Sequence, residues 1–548
     1  MPAPAPELDD DLPRAKADGL APTPPMGWSS WNSFAANVTA ADIRASADLL
    51  VDSGMRDAGY EYVNIDDGWA APVPGANTDQ PSERNDDGTV RLDPDFADGI
   101  ASLADYVHER GLKLGIYSDR GTETCAHRAG SEGHTSVDAQ SYANWGVDYL
   151  KYDNCSADET GSIKQAQYQD MRTALDASGR PITYSICAWN FYEWGVGTGQ
   201  LWRTTSDITA SFGDENTEHS ILAIAKANSK FAAYAGPNGW NDADMLEVGR
   251  VADAEGRAHF SLWAIMASPL IAGNDLGSMS ETTRATLTNA DVIAVDQDYL
   301  GFQGVPVKTD GDLQVWAKPL NESGVRAVAI INRGTNPAVA TTLDWPTVGL
   351  RAGEATVRDL WQRADLGSFS DPYAVTVPAH DAVMLKVSGS EPTHPRGSVH
   401  LGDFPWIYAA NGLGPVERNT NVGATAAGDG STISLGGTSF TQGLGVAAPS
   451  RVVYRLAKNC TRFRATVGID DLTKGNGSVA FRVVADGELL FESDRVTGTD
   501  PPQDLDLNID DKVRLELIVT NGNDPPDQDP LAWDRASWGD PRVDCFDP

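Results

Sequence analysis

The sequence predicts a multidomain chain in which a barrel of alternating strands and helices precedes two all-β units. Three observations point there. The 548 residues exceed what one hydrophobic core accommodates, and at roughly 150 residues per domain they suggest three units. From Pro25 to about residue 302 short apolar runs alternate with longer amphipathic stretches. From about residue 303 the helical patterns stop and strand follows strand.

Taken in order, the strand candidates are MGWSSW (26–31), YVNIDD (62–67), LKLGIYSD (112–119), YLKYDN (149–154), ITYSICAW (182–189), WRTTSDI (202–208), the irregular AAYAGPNGWNDADM (232–245) and SPLIAG (268–273). Amphipathic stretches such as AADIRASADLLVDSG (40–54) and FADGIASLADYVHERG (96–111) lie between them. Eight such units fit a (β/α)8 TIM barrel. In 303–390 the runs LQVWAKPL, VRAVAIINRG, ATVRDLW and AVTVPAHDAVMLKV predict an antiparallel β-sandwich. SGSEPTHPRGSVH (388–400) reads as a linker, and RVVYRL, RFRATVGID, VAFRVVADGELLFES and VRLELIVTNG make the last block all-β. The expected division is a disordered Pro/Ala/Asp-rich lead-in at 1–24, the barrel at 25–302, the sandwich at 303–390 and a C-terminal β-domain at 391–548.

With 42 basic and 78 acidic residues the formal charge is −36. Nucleic acid and anionic membranes are therefore disfavoured as partners, whereas a neutral ligand is indifferent to this field. No apolar run is long enough to span a bilayer. The N-terminus lacks the apolar core of a leader, so the chain is either cytosolic or has lost one. Cys125, Cys155, Cys187, Cys460 and Cys545 show no zinc-type spacing and the histidines form no HExxH, so neither a metal nor a cofactor is expected. Five cysteines suit two disulfides and one buried thiol.

An active site in such a barrel lies where the strands end. The residues there are Trp31, Asp66, Asp67, Tyr117, Asp119, Lys151, Asp153, Trp189, Arg203, Asp207, Asp242 and Asp244. Carboxylates without metal ligands suit acid, base and nucleophile work on a neutral polyol, and tryptophans offer apolar faces to sugar C–H groups. Within YLKYDNC, Tyr149, Lys151 and Asp153 share one face, so the ammonium is expected to keep Asp153 ionised. An ordinary turn-forming Asp neutralised by a neighbouring Lys is the plainer alternative. Asp153 and Asp207 end strands two apart, about 10 Å, and side chains leaning inward would bring the carboxyls to about 5 Å, the separation of a retaining glycosidase. Arg203, four residues before Asp207, is placed to tune that acid or to hold a hydroxyl.

PPMGWSSWNSF, VNIDDGW, GIYSD, LKYDNC, WRTTSDI, GWNDADML and LWAIMASPLIAGNDL, in this order over about 21–390, resemble the motifs of glycoside hydrolase family 27, the α-galactosidase and α-N-acetylgalactosaminidase family. The resemblance implies a retaining double displacement on a terminal α-galactosyl-type sugar. Asp153 is then the nucleophile and Asp207 the acid/base. Trp31, Asp66 and Asp67 would bind hydroxyls at the C4 and C6 end of the sugar, and Lys151 those at C3 and C4. Arg203 and Asp244 would complete a pocket lined by Tyr117 and Met245. Cys125 and Cys155 stand where the family has a disulfide.

The chain departs from the family after β-strand five, where CAW replaces the usual CEW. Ala188, between Cys187 and Trp189, leaves room for a C2 acetamido group, whereas bulky Phe191 argues against it. Gly68 replaces a cysteine of animal relatives, and Cys187 lacks its usual partner and is expected to be a free thiol. DFPWIYAANGLGPVERNTNVG (403–423), FTQGLGVAAPSRVVYRL and ATVGIDD resemble the NPCBM module, carbohydrate-binding module family 51. That resemblance implies a domain tethering the enzyme to glycans, with Trp406, Asn411 and Glu417 as candidate contacts, although Ala447 stands where the module often has His. Cys460 and Cys545 are candidates to staple its ends.

The expectation is a secreted α-galactosidase acting on neutral oligo- or polysaccharides with terminal galactose-type sugars. α-N-acetylgalactosaminidase and β-L-arabinopyranosidase are the enzymatic alternatives, and retention of Trp31 and Asp66 for a C6 hydroxyl favours galactose over the latter. A silent, lectin-like glycan binder is the alternative of another class, opposed by the intact set Lys151, Asp153, Arg203 and Asp207.

Overall fold

The computed structural model describes residues 18–72, 84–522 and 533–546, so most of the expected lead-in lies outside the described residues. Among the described residues, eight parallel strands form the barrel: β1 (Met26–Ser29), β2 (Tyr62–Asn64), β3 (Lys113–Asp119), β4 (Tyr149–Asp153), β5 (Thr183–Ile186), β6 (Leu201–Arg203), β7 (Trp240–Asp242) and β8 (Leu270–Ala272). They pair in chain order, with β8 returning to β1. The remaining gap closes just beyond β7, where Leu246 N–H donates to Ile271 O at 2.8 Å. The expected barrel is present.

Several strands are shorter than the apolar runs that announce them. MGWSSW leaves the sheet at Ser29 and Trp31 opens a helical turn, Trp31–Phe34. WRTTSDI keeps only its first two residues in β6, because Arg203↔Asp242 is the last paired position and Thr204 N–H makes the final bond to Asp242 O at 3.1 Å. A parallel ladder ends where its neighbours diverge, whatever the propensity of the residues beyond it. The helix expected at 40–54 spans Ala40–Asp52, opened by a reciprocal Thr39–Asp42 cap and turning Ile43, Ala47 and Leu50 inward. The stretch 96–111 breaks at Gly99, which takes φ +86°, so the helix is Ile100–His108.

The next unit packs a six-stranded antiparallel sheet against a two-stranded one. Its strand Val325–Asn332 is buried on both faces, which is why it reads as a nearly unbroken apolar run. Ala327, Ala329 and Ile331 join the barrel core, while Val328 and Ile330 fill the sandwich. Trp361 Nε1–H donates to Ser261 Oγ across the same seam at 3.0 Å. Among the described residues the C-terminal domain is two six-stranded antiparallel sheets around Phe463, Phe481 and Trp538, with a two-stranded hairpin of Ile433–Leu435 and Thr438–Phe440 beside them.

The segment read as a linker is held down. Glu391 accepts from Arg326 Nη2 at 2.8 Å and from Gly324 N–H at 2.6 Å, and Asn459 Nδ2 donates to Pro395 O at 2.8 Å. The C-terminal domain then rests on the barrel through Tyr408, whose hydroxyl donates to Gln303 O at 2.7 Å beside Phe302, and through the Arg451 guanidinium, 4.0 Å from the centre of the Phe302 ring. Among the described residues no helix is long and apolar enough to cross a membrane.

Cys460 and Cys545 are disulfide-bonded across 85 residues, joining the first residue of one strand to the last of its neighbour. Closing a loop of that length is worth about 4 kcal/mol in the chain-entropy account. Replacing both with Ser is expected to lower the unfolding temperature of the C-terminal domain in calorimetry and to leave the barrel transition in place.

Candidate active site

The open end of the barrel is built by the residues just past each strand. Lys151, on β4, does not pair with Asp153 as expected. Its ammonium reaches across β3 to Asp66 Oδ2 at 3.0 Å, where Ser29 Oγ–H also donates at 3.3 Å. Alternation along a strand places two side chains on one face but does not decide which neighbour from another strand a flexible lysine prefers. Desolvation would lower the ammonium's pKa, but Asp66 first, then Cys187, Asp153 and Asp207, hold it well above its ordinary value. Lys151 stays charged.

Asp153, 6 % exposed, accepts the Tyr117 hydroxyl at 3.0 Å on Oδ2 and its neighbour's Asn154 N–H at 2.9 Å on Oδ1. Burial raises its pKa, and Lys151 only partly opposes that. The expectation that Lys151 dominates is therefore corrected: desolvation is the larger effect. Asp207 stands four residues beyond β6 and is exposed, its Oδ1 3.1 Å from Arg203 Nη2. Desolvation raises its carboxyl, yet Arg203 and Lys151 together bring it below the ordinary value.

Arg203 is buried and also meets Asp244 Oδ2 at 3.0 Å. The same oxygen accepts Ile208 N–H at 2.8 Å, so Asp244 grips both the arginine and the loop bearing Asp207. Asp244 itself sits at φ +75°, an uncommon conformation for a non-glycine residue. Two side chains from the helix Asp253–Met266 support it: Trp263 Nε1–H donates to Asp244 O at 2.8 Å, and His259 Nε2 accepts Glu247 N–H at 2.9 Å. Neither residue was legible as part of the site, because on a helix buried all round they look like core.

Asp67 and Asp119 have structural partners. Asp67 accepts Thr124 Oγ1–H at 3.0 Å and Ala126 N–H at 2.7 Å, and burial lifts it to about 6. Asp119 accepts Gly121 N–H and Cys155 N–H, each at 2.7 Å, and burial with Asp153 nearby lifts it to about 8. Between them they fasten the loop that the Cys125–Cys155 disulfide ties to the end of β4. Asp119 with these two sulfurs is a grouping of metal-ligand atoms, but sulfurs joined to each other are not thiolate ligands. Gly68 takes φ +123°, and a side chain there would meet Ala36 O at 2.7 Å, so the cysteine of animal relatives does not fit this backbone.

One cavity gathers Asp66, Lys151, Cys187, Arg203, Asp244 and Met245. Asn64, Ser185 and Asp242 also line it; burial raises Asp242 to about 6 despite Arg203. Cys187 is a buried free thiol pushed up by burial, and its Sγ accepts Arg203 Nη1–H at 3.5 Å. Asp67, Tyr117, Asp153 and Asp207 are not among its lining residues, nor are Trp31, Ala188 and Trp189: Trp31 is half-buried in the turn after β1, Ala188 is buried, and Trp189 is 36 % exposed at φ +59°. Phe191 turns away, stacking on Phe231 at 4.1 Å and lying 4.9 Å from the Tyr234 ring.

In the C-terminal domain the three candidate contacts are occupied. The Arg418 guanidinium lies 3.4 Å from the centre of the Trp406 ring. Asn411 donates to Leu413 O at 2.7 Å and accepts Ala447 N–H at 2.8 Å. Glu417, 7 % exposed, accepts Gly428 N–H at 2.9 Å. Each of the three thus has a partner within the domain.

Comparison with known proteins gives three family matches: Alpha galactosidase A over residues 23–298, Alpha galactosidase C-terminal beta sandwich domain over 310–387 and NPCBM/NEW2 domain over 397–544. The chain is 44 % identical to Alpha-galactosidase A of Cellvibrio japonicus over 394 residues, covering 68 % of this chain and 94 % of that one. Its fold is similar to that of alpha-galactosidase I from Mortierella vinacea (TM-score 0.64, 34 % identity, 69 % of this chain and 99 % of that one). It is likewise similar to the Saccharomyces cerevisiae α-galactosidase solved with raffinose (TM-score 0.63, 29 % identity, 68 % and 99 %).

The His259 ring is fully buried, and desolvation lowers its pKa to about 3. The unfolded chain, with an ordinary histidine near 6.5, binds more protons between these values, so this group's contribution to stability is complete above about pH 6.5 and is lost as pH falls toward 3. His259→Gln, whose amide oxygen can still accept Glu247 N–H, is expected to flatten the fall of melting temperature over that window.

Proposed function

The chain belongs to the α-galactosidase A family of glycoside hydrolases, and on that premise we propose that it removes terminal α-D-galactosyl residues from oligo- or polysaccharides by a retaining double displacement. The observation that carries the reading is the convergence of Asp66, Lys151, Arg203 and Asp244 on one cavity beside Asp153. Charged donors and acceptors of that density suit a polyol that fills the cavity with hydroxyls and carries no charge of its own.

In this reading Asp153 attacks the anomeric carbon while Asp207 protonates the departing oxygen; Asp207 then takes a proton from water, which releases the sugar with its α configuration. Asp66 and Lys151, held 3.0 Å apart, present an acceptor and a donor side by side to vicinal hydroxyls. Asp67 and Trp31 serve the C4 and C6 end, and Tyr117 steadies the attacking carboxylate through its 3.0 Å bond. Asp244 keeps Arg203 and the Asp207 loop together. Burial raises both carboxyls, but Arg203 and Lys151 bring Asp207 below its ordinary value while Asp153 stays above, the opposite order to the one in which Asp153 attacks and Asp207 donates.

A specific observation favours breadth at C2. Phe191, the residue expected to crowd an acetamido group, is stacked into the core away from the cavity, and Ala188 adds no bulk. Activity on α-N-acetylgalactosaminides is therefore the second reading. Two disulfides suit an oxidising, extracytoplasmic location, in keeping with secretion. The C-terminal domain would add glycan contact, with Trp406, Asn411 and Glu417 as its candidate residues.

The deciding measurement compares kcat/KM on chromogenic α-galactoside, α-N-acetylgalactosaminide and β-L-arabinopyranoside. We expect the galactoside to lead, the α-anomer to appear first by NMR, and Asp153→Asn to lose on the order of a thousandfold or more in kcat while keeping its fold. Near-wild-type turnover by that variant overturns the nucleophile assignment. Because Lys151 lowers the Asp153 pKa against the effect of burial, Lys151→Met is expected to move the acid limb of the kcat/KM profile to higher pH, besides lowering activity.

A further inference from the structure

The segment leaving β5 runs from Cys187, on the cavity wall, through Ala188 and Trp189 to Phe191 and the turn Glu193–Gly195. Nothing in the barrel sheet holds it, because β5 ends at Ile186 and the last ladder bond is Cys187 N–H to Tyr152 O at 2.9 Å. Its grip comes from Tyr234. That ring lies against Phe191, and its hydroxyl donates to Glu193 Oε1 at 3.0 Å. The same hydroxyl accepts the backbone N–H of Asn521 at 3.1 Å, and Asn521 belongs to the C-terminal domain, directly after the strand Arg514–Thr520. Tyr234, Glu193 and Asn521 are all buried, so no water competes for these bonds.

We infer that the C-terminal domain is a positioning element of the active site: through Asn521 and Tyr234 it fixes the course of the Ala188–Glu193 segment, which leads directly out of Cys187 on the cavity wall. Tyr234 is a positioning residue that touches no reacting atom. A hydroxyl that both donates and accepts needs both partners in place, so the domain's seat on the barrel and the course of the segment are set together. The inference rests on the glycosidase reading for the meaning of the cavity, not for the contact itself. A wall that meets the sugar before and during reaction acts on ground state and transition state alike, so loosening it raises KM more than it lowers kcat.

The test uses two full-length variants. Tyr234→Phe keeps the ring and deletes the hydroxyl at the segment; Tyr408→Phe deletes the hydroxyl that donates to Gln303 O elsewhere on the same domain contact. Both are expected to lower the melting temperature by a few degrees. Well below that temperature, on whichever chromogenic glycoside the unmodified chain cleaves fastest, Tyr234→Phe is expected to lower kcat/KM about tenfold, chiefly through KM, with Tyr408→Phe unchanged. Hydrogen exchange supplies a readout independent of turnover: amides of 188–196 exchange faster in Tyr234→Phe only. Equal kinetic and exchange behaviour in the two variants, or wild-type values in Tyr234→Phe, overturns the inference. Failure of the galactoside reading appears separately, in the substrate preference of the unmodified chain.

Discussion

Everything at the open end of the barrel depends on two buried cations among carboxyl groups. Lys151 and Arg203 stand among Asp66, Asp153, Asp207, Asp242 and Asp244, and burial pushes Asp153, Asp207 and Asp242 toward their neutral forms. These three differ in how far the cations offset that burial. Asp207, bonded to Arg203, falls below its ordinary value, and Asp242, deeper and shared, rises to about 6. One geometry therefore yields carboxyls of unlike proton affinity from residues of one type, with Asp153 raised and Asp207 lowered, the reverse of the order in which one attacks and the other donates a proton.

Much of this was legible in the sequence, and the part that was not has a common cause. The alternation of apolar runs and amphipathic stretches is enough to expect the barrel, since both periods reflect faces that must be buried. YLKYDNC shows that Lys151 and Asp153 share a face, but the sequence is silent on the Asp66 that Lys151 meets, because that partner comes from a strand two places away. WRTTSDI reads as one strand, although Asp207 lies past the last ladder bond and owes its place to Asp244. Phe191 reads as bulk in the cavity, and only the packing of Phe231 and Tyr234 shows which way it points. Residue type was readable throughout; the partner supplied by another element was not.

The same holds for the C-terminal domain. Trp406 has the chemistry of a sugar platform, yet Arg418 lies against its ring, and Asn411 and Glu417 hydrogen-bond backbone groups of their own domain. A resemblance carries residue types faithfully while saying little about which of them are already satisfied. Burial on both faces of Val325–Asn332 makes the parallel point for the sandwich, which is as much a cover for the barrel as a domain with its own interior.

The Arg326–Glu391 pair, with Asn459 on Pro395 O, changes what the C-terminal domain can be to the enzyme. A flexible leash lets a binding domain search the volume around an anchor point, with local concentration set by its length. A strap pinned at both ends gives no such search. A ligand held on this domain would therefore stand at one bearing and one distance from the barrel mouth, as if between the jaws of a caliper.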